Sequence, residues 1–122
     1  PLRGGWTSDT LSDLFRYHPG MVALAYTVVA ILPDEPTARD YAGWLIGGHV
    51  DAVLKAGAHS CMVVRVVEPS HPIRLEARYI FPNRQVFETY LDQHAPALRA
   101  EGLKRFPPAL GIRFERVVGH VI

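Results

Sequence analysis

The chain has 122 residues, of which 48% are hydrophobic and 20% charged, and its formal net charge is +1. This length fits one domain with its own hydrophobic core, and this composition is not that of a disordered chain. The small net charge excludes the basic footprint on which tight, sequence-independent nucleic-acid binding depends. It favours neither acidic substrates nor a membrane surface.

The only cysteine, Cys61, lies in an apolar run over residues 61–64. A small buried hydrophobe is the simpler interpretation of this thiol, and a reactive group is the alternative. Since one thiol forms no internal disulfide, we expect a reducing, cytoplasmic location. The longest apolar stretch, residues 21–32, is about half as long as a membrane-spanning helix and lacks a signal-peptide cleavage site after it. We therefore expect a soluble protein that is neither inserted in a membrane nor secreted.

The first twenty residues differ in character from the rest of the chain. Residues 1–5 are typical of a loop, and a turn signal, Pro19-Gly20, directly precedes an apolar run. We predict an N-terminal extension over residues 1–20, either native or a foreign addition, and one domain over residues 21–122.

A strand and a helix are predicted at the start of this domain. Residues 22–32 are rich in β-branched and other apolar side chains, as is typical of a strand. Asp34 or Glu35 caps a helix that continues to Gly57, which ends it in a left-handed conformation. The apolar stripe of this helix consists of Ala38, Tyr41, Ala42, Leu45, His49, Ala52 and Ala56.

A second helix follows two more predicted strands. Residues 59–68 form the second strand, and residues 73–81 form the third, in which apolar and charged side chains alternate. Asn83 caps the second helix, and Pro96 breaks it near residues 94–95. A last strand covers residues 112–122.

The order βαββαβ predicts an α+β, ferredoxin-like fold: a four-stranded antiparallel sheet with two helices on one face. In the first strand both alternating sets of side chains are apolar. Helices cover only one face of such a sheet, so something must cover the other. A second copy of the chain, paired through the helix-free face as in dimeric αβ barrels, is the natural cover.

Two segments carry a resemblance to a known family. Residues 44–57 and the stretch Leu98-Arg99-Ala100-Glu101-Gly102-Leu103-Lys104-Arg105-Phe106 are similar to motifs of small bacterial proteins grouped as domain of unknown function 4286. The similarity extends over about residues 22–118. It implies the ferredoxin-like fold and kinship with dimeric αβ barrels, and it implies no activity.

Two histidines are the candidate catalytic residues, because His49 and His94 both fall on the apolar stripes of their helices. Either each is a core histidine with a hydrogen-bond partner, or both face a cavity between the helices and the sheet. Tyr41, Trp44 and Tyr90 would then be the ligand-binding residues around it.

Charged residues on the third strand offer a second candidate site. Arg74, Glu76 and Arg78 alternate with apolar residues, and Arg113 and Glu115 join them if the last strand alternates in step. Ion pairs at a dimer interface are one interpretation of this pattern. An anion or carboxylate site inside the barrel, with Arg78 as a ligand-binding residue, is the other.

The sequence gives little support for the binding of metal ions, cofactors or RNA. The six histidines lack the spacings of metal ligands, and no phosphate loop or dinucleotide motif is present. An RNA-recognition module shares the βαββαβ order, yet its third strand should present stacking aromatics where this chain has Arg74, Glu76 and Arg78.

Two functions remain open from the sequence. The first is a homodimeric domain that binds a small molecule or is purely structural. The second is a cofactor-independent enzyme, similar to a monooxygenase or an isomerase, that acts on a small aromatic or carbonyl metabolite. A deep apolar cavity lined by His49 or His94 would favour the enzyme, whereas a cleft filled by side chains would favour the first.

Overall fold

The computed structural model describes residues 22–122 and confirms the βαββαβ order. Its strands and helices are β1 (Leu24–Leu32), α1 (Glu35–Trp44), α2 (Val50–Lys55), β2 (Ser60–Arg65), β3 (Ile73–Phe81), α3 (Arg84–Gln93), α4 (Ala95–Arg105) and β4 (Arg113–His120). A π-type turn, Leu45–His49, joins α1 to α2, and a 3-10 turn, Pro108–Leu110, precedes β4. The expected extension over residues 1–20 lies outside the described residues.

The four strands form one antiparallel sheet in the order β2-β3-β1-β4. Tyr26 lies opposite Tyr79 on one side and Val118 on the other, so these three side chains share a face. On that face the helices bury alternate residues of the two central strands. These are Leu24, Tyr26, Ala30, Leu32, Leu75, Ala77, Tyr79 and Phe81. The predicted four-stranded sheet with helices on one face is confirmed.

Local sequence signals set the helix ends. The Asp34 carboxylate accepts a hydrogen bond from the Thr37 backbone N–H at 2.8 Å, and the Asn83 side-chain oxygen accepts one from Val86 N–H at 2.9 Å. These contacts satisfy backbone donors that have no partner inside the first turn of a helix. The predicted break before Pro96 is confirmed, because α3 ends at Gln93 and α4 begins at Ala95.

Gly57 ends the first helical region, as predicted. Its φ is +130°, and its N–H donates to Leu54 O at 3.2 Å while Ala58 N–H donates to Val53 O at 3.2 Å. This pair of bonds is the Schellman arrangement that satisfies the last carbonyls of a helix.

The prediction of one continuous helix up to Gly57 was wrong. Gly48 has φ 155° and ψ −27°, and Val50 N–H donates to Leu45 O, five residues earlier. This wide turn holds one residue more than an α-helical turn, which shifts the apolar stripe by one position. Val53 is fully buried where the stripe predicted Ala52. Glycine permits the turn, because a side chain rarely adopts this positive φ.

No helix of the described chain covers the second face of the sheet, which we call the open sheet face. The register places Glu76 and Glu115 on either side of Val29, so both glutamates point to this face, as the alternation predicted. Exposed apolar side chains, Met62 and Val117, lie on the same face.

Charged side chains on the open sheet face contact one another. Glu76, whose side chain is 14% exposed, accepts hydrogen bonds from Arg78 Nε at 3.0 Å and Arg78 Nη2 at 2.9 Å. Arg74 Nε lies 3.5 Å from its other carboxylate oxygen. One carboxylate therefore contacts two neighbouring arginines and compensates one of their two positive charges.

Candidate functional site

A cavity of about 250 Å³ lies between α4 and the helix-covered face of the sheet. Its floor is formed by side chains of three strands: Tyr26, Val28, Tyr79, Phe114 and Arg116. Its roof is one side of α4, through Leu98, Arg99, Gly102 and Leu103. The cavity is half open, so a molecule from solvent can reach aromatic side chains that belong to the core.

Aromatic rings close the cavity at the end of α1. Tyr41 and Trp44 follow each other at helical spacing, and their ring centroids are 5.8 Å apart. Phe106, at the end of α4, lies 5.5 Å from the first ring and 5.6 Å from the second. Gly102 makes this packing feasible, because a Cβ there would lie only 3.3 Å from the Trp44 ring.

His49 forms part of the same wall. Its imidazole stacks on the Trp44 indole with the ring centroids 4.0 Å apart and the planes 19° from parallel. The ring also borders a second cavity of about 330 Å³, next to Gly47, Gly48 and Glu101. The wide turn therefore places the histidine between two cavities, and within residues 22–122 neither ring nitrogen has a hydrogen-bond partner.

Burial shifts the pKa of the titratable side chains that line the cavity. It lowers the pKa of His49 below its ordinary value, which the charge of Glu101 opposes. It raises the pKa of Tyr41 and of Tyr90 to about 12, and it raises the pKa of Tyr79 further. At neutral pH the imidazole is uncharged with one acceptor nitrogen, and the phenols keep their protons.

Two arginines bring positive charge to the cavity. Arg99 on α4 donates from Nη2 to the Tyr26 hydroxyl at 3.2 Å. Arg116 on β4 lies with its guanidinium carbon 5.9 Å from the Phe114 ring centroid. No acidic residue of the described chain lines this cavity.

Sequence reasoning missed both arginines. The signal for Arg116 was present, because an alternating last strand that puts Arg113 and Glu115 on the open sheet face must put Arg116 on the other. Nothing comparable marked Arg99, whose approach to Tyr26 depends on how α4 packs on the sheet.

The structure brings together four of the six predicted site residues. His49, Tyr41, Trp44 and Tyr90 all line the cavity. His94 is exposed at the junction between α3 and α4 and does not line it. Arg78 does not line it either, because it lies on the open sheet face.

Metal and thiol chemistry have no visible place in this site. Residues 22–122 contain no cluster of three or more His, Cys, Asp or Glu side chains that could hold a metal ion. Cys61 is half-buried on the helix-facing side of β2, where burial raises the pKa of its thiol to about 11. A thiol with that pKa is protonated at neutral pH and is a poor nucleophile.

None of the described helices has the length and apolar character needed to cross a bilayer.

Solved structures with low sequence identity share this architecture. A dimeric ferredoxin-like protein from an uncultured marine organism has a TM-score of 0.59 at 15% identity, over 83% of this chain and 96% of that one. The fold is ferredoxin-like. An ethyl tert-butyl ether d (EthD) family protein from Bacillus halodurans C-125 has a TM-score of 0.62 at 12% identity, over 82% and 99% of the two chains.

A third similar structure is a proposed monooxygenase from Shewanella loihica PV-4, with a TM-score of 0.53 at 14% identity, over 84% of this chain and 98% of that one. No family model and no curated protein matches the chain. At these identities the similarity shows the fold, which is that of the dimeric αβ-barrel proteins, and it does not show what the cavity binds.

Proposed function

We propose that this protein binds a small, flat, largely apolar molecule in the cavity between α4 and the sheet. The observation that carries the proposal is a half-open, aromatic-walled space on which a few polar groups converge. Those groups are the tyrosine hydroxyls, the His49 imidazole and two guanidiniums. Ligand sites of small molecules combine these two properties, an apolar wall and a small number of placed polar groups.

The size of the cavity limits the ligand. An engineered apolar cavity of about 150 Å³ takes one benzene molecule. The cavity here, at about 250 Å³, therefore suits a single ring with one or two substituents. A purely structural domain would be expected to fill this space with its own side chains, since protein interiors are close-packed.

We also infer that two copies of the chain pair through the open sheet face. β1 is apolar on both sides, and Val117, 57% exposed in the single chain, would be covered in the pair. Dimers described as ferredoxin-like are among the similar structures, which supports the same assembly. Kinship with the domain of unknown function 4286 family rests on the two sequence motifs alone.

Catalysis by His49 is the second candidate function, and the unbonded ring nitrogen beside the cavity favours it. A neutral imidazole removes a proton from a carbon next to a carbonyl group, while the C–H electron pair moves to the carbonyl oxygen as an enolate. Where the carbonyl compound has a β,γ double bond, the enolate is conjugated with it, and return of the proton to the γ-carbon gives the α,β-unsaturated isomer without any oxidant. One similar structure is described as a proposed monooxygenase, which is why we retain this candidate.

Binding can be tested with neutral aromatic probes on the purified full chain. Benzamide and phenylacetamide, followed by two-dimensional NMR, should shift backbone signals of α4 and of the Trp44–His49 region. Val28 lines the floor of the cavity, so Val28→Phe should fill the space and remove these shifts. Val67 is exposed in the loop after β2, and Val67→Phe is the matched control that should retain them.

Two results would contradict the binding proposal. The first is that neither these amides nor the corresponding acids, benzoate and phenylacetate, cause shifts around the cavity at millimolar concentration. The second is that Val28→Phe binds the probes as well as the natural chain does while its thermal midpoint shows that it is folded. For catalysis, wild-type protein in heavy water should exchange a hydrogen next to the carbonyl of a bound aryl ketone, and His49→Gln should not.

A further inference from the structure

Two arginines reach the cavity from separate elements of the fold. The Arg99 guanidinium comes from α4 and is anchored on the buried Tyr26 hydroxyl, 3.2 Å away. Arg116 lies opposite Val28 in the sheet, on the helix-covered face. It lines the same cavity as Tyr41 and Tyr90.

Neither of these arginines has a carboxylate partner among residues 22–122. Four other arginines of the described chain do have one, whereas Arg39, Arg105 and Arg113 do not. Arg65 contacts Glu35, Arg74 and Arg78 contact Glu76, and Arg84 contacts Glu88. These two guanidiniums border an aromatic surface in which the described chain has no acidic residue, and both side chains are exposed to solvent.

Positive charges next to a low-dielectric wall favour an anion more strongly than they would in water. A guanidinium presents N–H groups as a planar fork that fits the two oxygens of a carboxylate. An apolar ring in the cavity would bring a ring-bound carboxylate to this region.

On these grounds we propose that the ligand of the cavity is a single-ring aromatic carboxylate, with its ring among Trp44, Tyr41 and Phe106 and its carboxylate on Arg99 and Arg116. This assignment rests on the proposed binding function and specifies the ligand class. It also distinguishes this face of the sheet from the open sheet face, where Arg74 and Arg78 contact Glu76.

The test compares acids with their neutral amides of nearly equal shape. Benzoate and phenylacetate, together with benzamide and phenylacetamide, are titrated into the full-length chain near neutral pH, with dissociation constants taken from NMR shifts. The expected result is that each acid binds about tenfold or more tightly than its amide, as for a charge-assisted hydrogen bond. The preference should decrease as sodium chloride is added.

Arginine variants show whether the preference comes from these two groups. Arg99→Gln and Arg116→Gln should each reduce the acid-to-amide ratio, and the double variant should bring it close to one while amide binding is retained. Lys104→Gln removes a positive charge from the same helix without altering the cavity wall, and it should leave the ratio unchanged.

The possible failures are distinguishable. Equal binding of acids and amides by the wild type would overturn the carboxylate assignment and leave the binding function intact. A full preference for acids in the folded double variant would also overturn it. If no acid and no amide binds, the binding function and the assignment fail together. If the variants do not fold, the wild-type ratio and its dependence on salt still decide the assignment.

Discussion

On the open sheet face, Arg74 and Arg78 share the carboxylate of Glu76, whereas on the helix-covered face Arg99 and Arg116 border a cavity without an acidic residue of the described chain. Both faces belong to the same four strands, and both combine arginines with apolar side chains. The difference lies in where the compensating negative charge comes from.

A face whose charges are partly compensated by contacts within the chain can be covered by another protein surface at a lower electrostatic cost than a face whose charges have no partner. A wall with two unneutralised cations is better suited to an anion that arrives from solution. The comparison is consistent with the two proposals made above, self-association through the open sheet face and ligand binding at the covered face, and the following changes test that division.

The largest expected effect is on assembly. Val117→Glu places a negative charge on the open sheet face of each protomer, next to the same charge of its partner, and should weaken the dimer by about 100-fold or more. Light scattering coupled to size exclusion should then give a mass near 13.6 kDa in place of twice that value. Val67→Glu, at an exposed position outside the sheet, is the control and should stay dimeric. A wild-type monomer at micromolar concentration would contradict the assignment of this face.

Removal of the Glu76 carboxylate should leave Arg74 and Arg78 on the open sheet face without a carboxylate contact, as Arg99 and Arg116 are on the covered face. Glu76→Gln leaves Arg74 and Arg78 side by side with no negative partner, so we expect a loss of about 1–3 kcal/mol in unfolding free energy. The more exposed pair of Arg84 and Glu88 provides the control, and Glu88→Gln should cost no more than about 0.5 kcal/mol. Urea unfolding of both variants measures the difference, and equal losses would show that the Glu76 cluster is no more than a surface feature.

Gly57 tests how firmly the helices are held over the covered face. An added Cβ at φ +130° would approach Val86 Cγ1 to 2.8 Å, so Gly57→Ala should lower the unfolding free energy by about 1–2 kcal/mol. Gly43, inside α1, has no neighbour within 4 Å of such a Cβ, and Gly43→Ala should instead stabilise by about 0.5–1 kcal/mol. Denaturant midpoints that move in the same direction would refute the special role of Gly57.

The smallest effect concerns acid stability. The folded chain holds the pKa of His49 below its ordinary value of 6.5, so the unfolded chain takes up the proton first as the pH falls. This histidine therefore lowers stability progressively below about pH 6.5, and His49→Gln should reduce the loss of thermal midpoint between about pH 7.5 and about pH 5.5. His94→Gln, at an exposed site, should keep the wild-type loss. An unchanged loss in His49→Gln would mean that the imidazole is not desolvated.

Much of the fold could be predicted because its signals are local. Charged and apolar residues alternate along β3, so the predicted range of 73–81 agrees with the observed strand. Asn83 and Pro96 act on the backbone next to them, and they positioned a helix start and a helix break correctly. The same alternation divides the side chains of the strands between the helix-covered face and the open sheet face.

The candidate site was predictable only in part, because a cavity depends on distances between elements. His49 and His94 occupy similar positions on their predicted apolar stripes. However, the helix is interrupted before Pro96, and His94 is therefore exposed to solvent. Arg99 points to Tyr26 only because α4 packs across the sheet at a particular distance. The turn at Gly48 was missed since a glycine inside a helical pattern is compatible with either an α-helical or a positive φ.

The wide turn between α1 and α2 accommodates one residue more than a regular helix would hold. Successive residues of an α-helix are about 100° apart around its axis, so straightening this turn without removing a residue would rotate everything after it by about that angle relative to α1. Val53 would then leave the core, and His49 would no longer face Trp44, whereas deletion of Gly48 would remove the extra residue and keep Val53 on the buried side. A sequence comparison that ignores this turn would consequently match the wrong residues over the whole of α2, and a change that straightens the turn would alter the wall of the cavity without altering any residue in it.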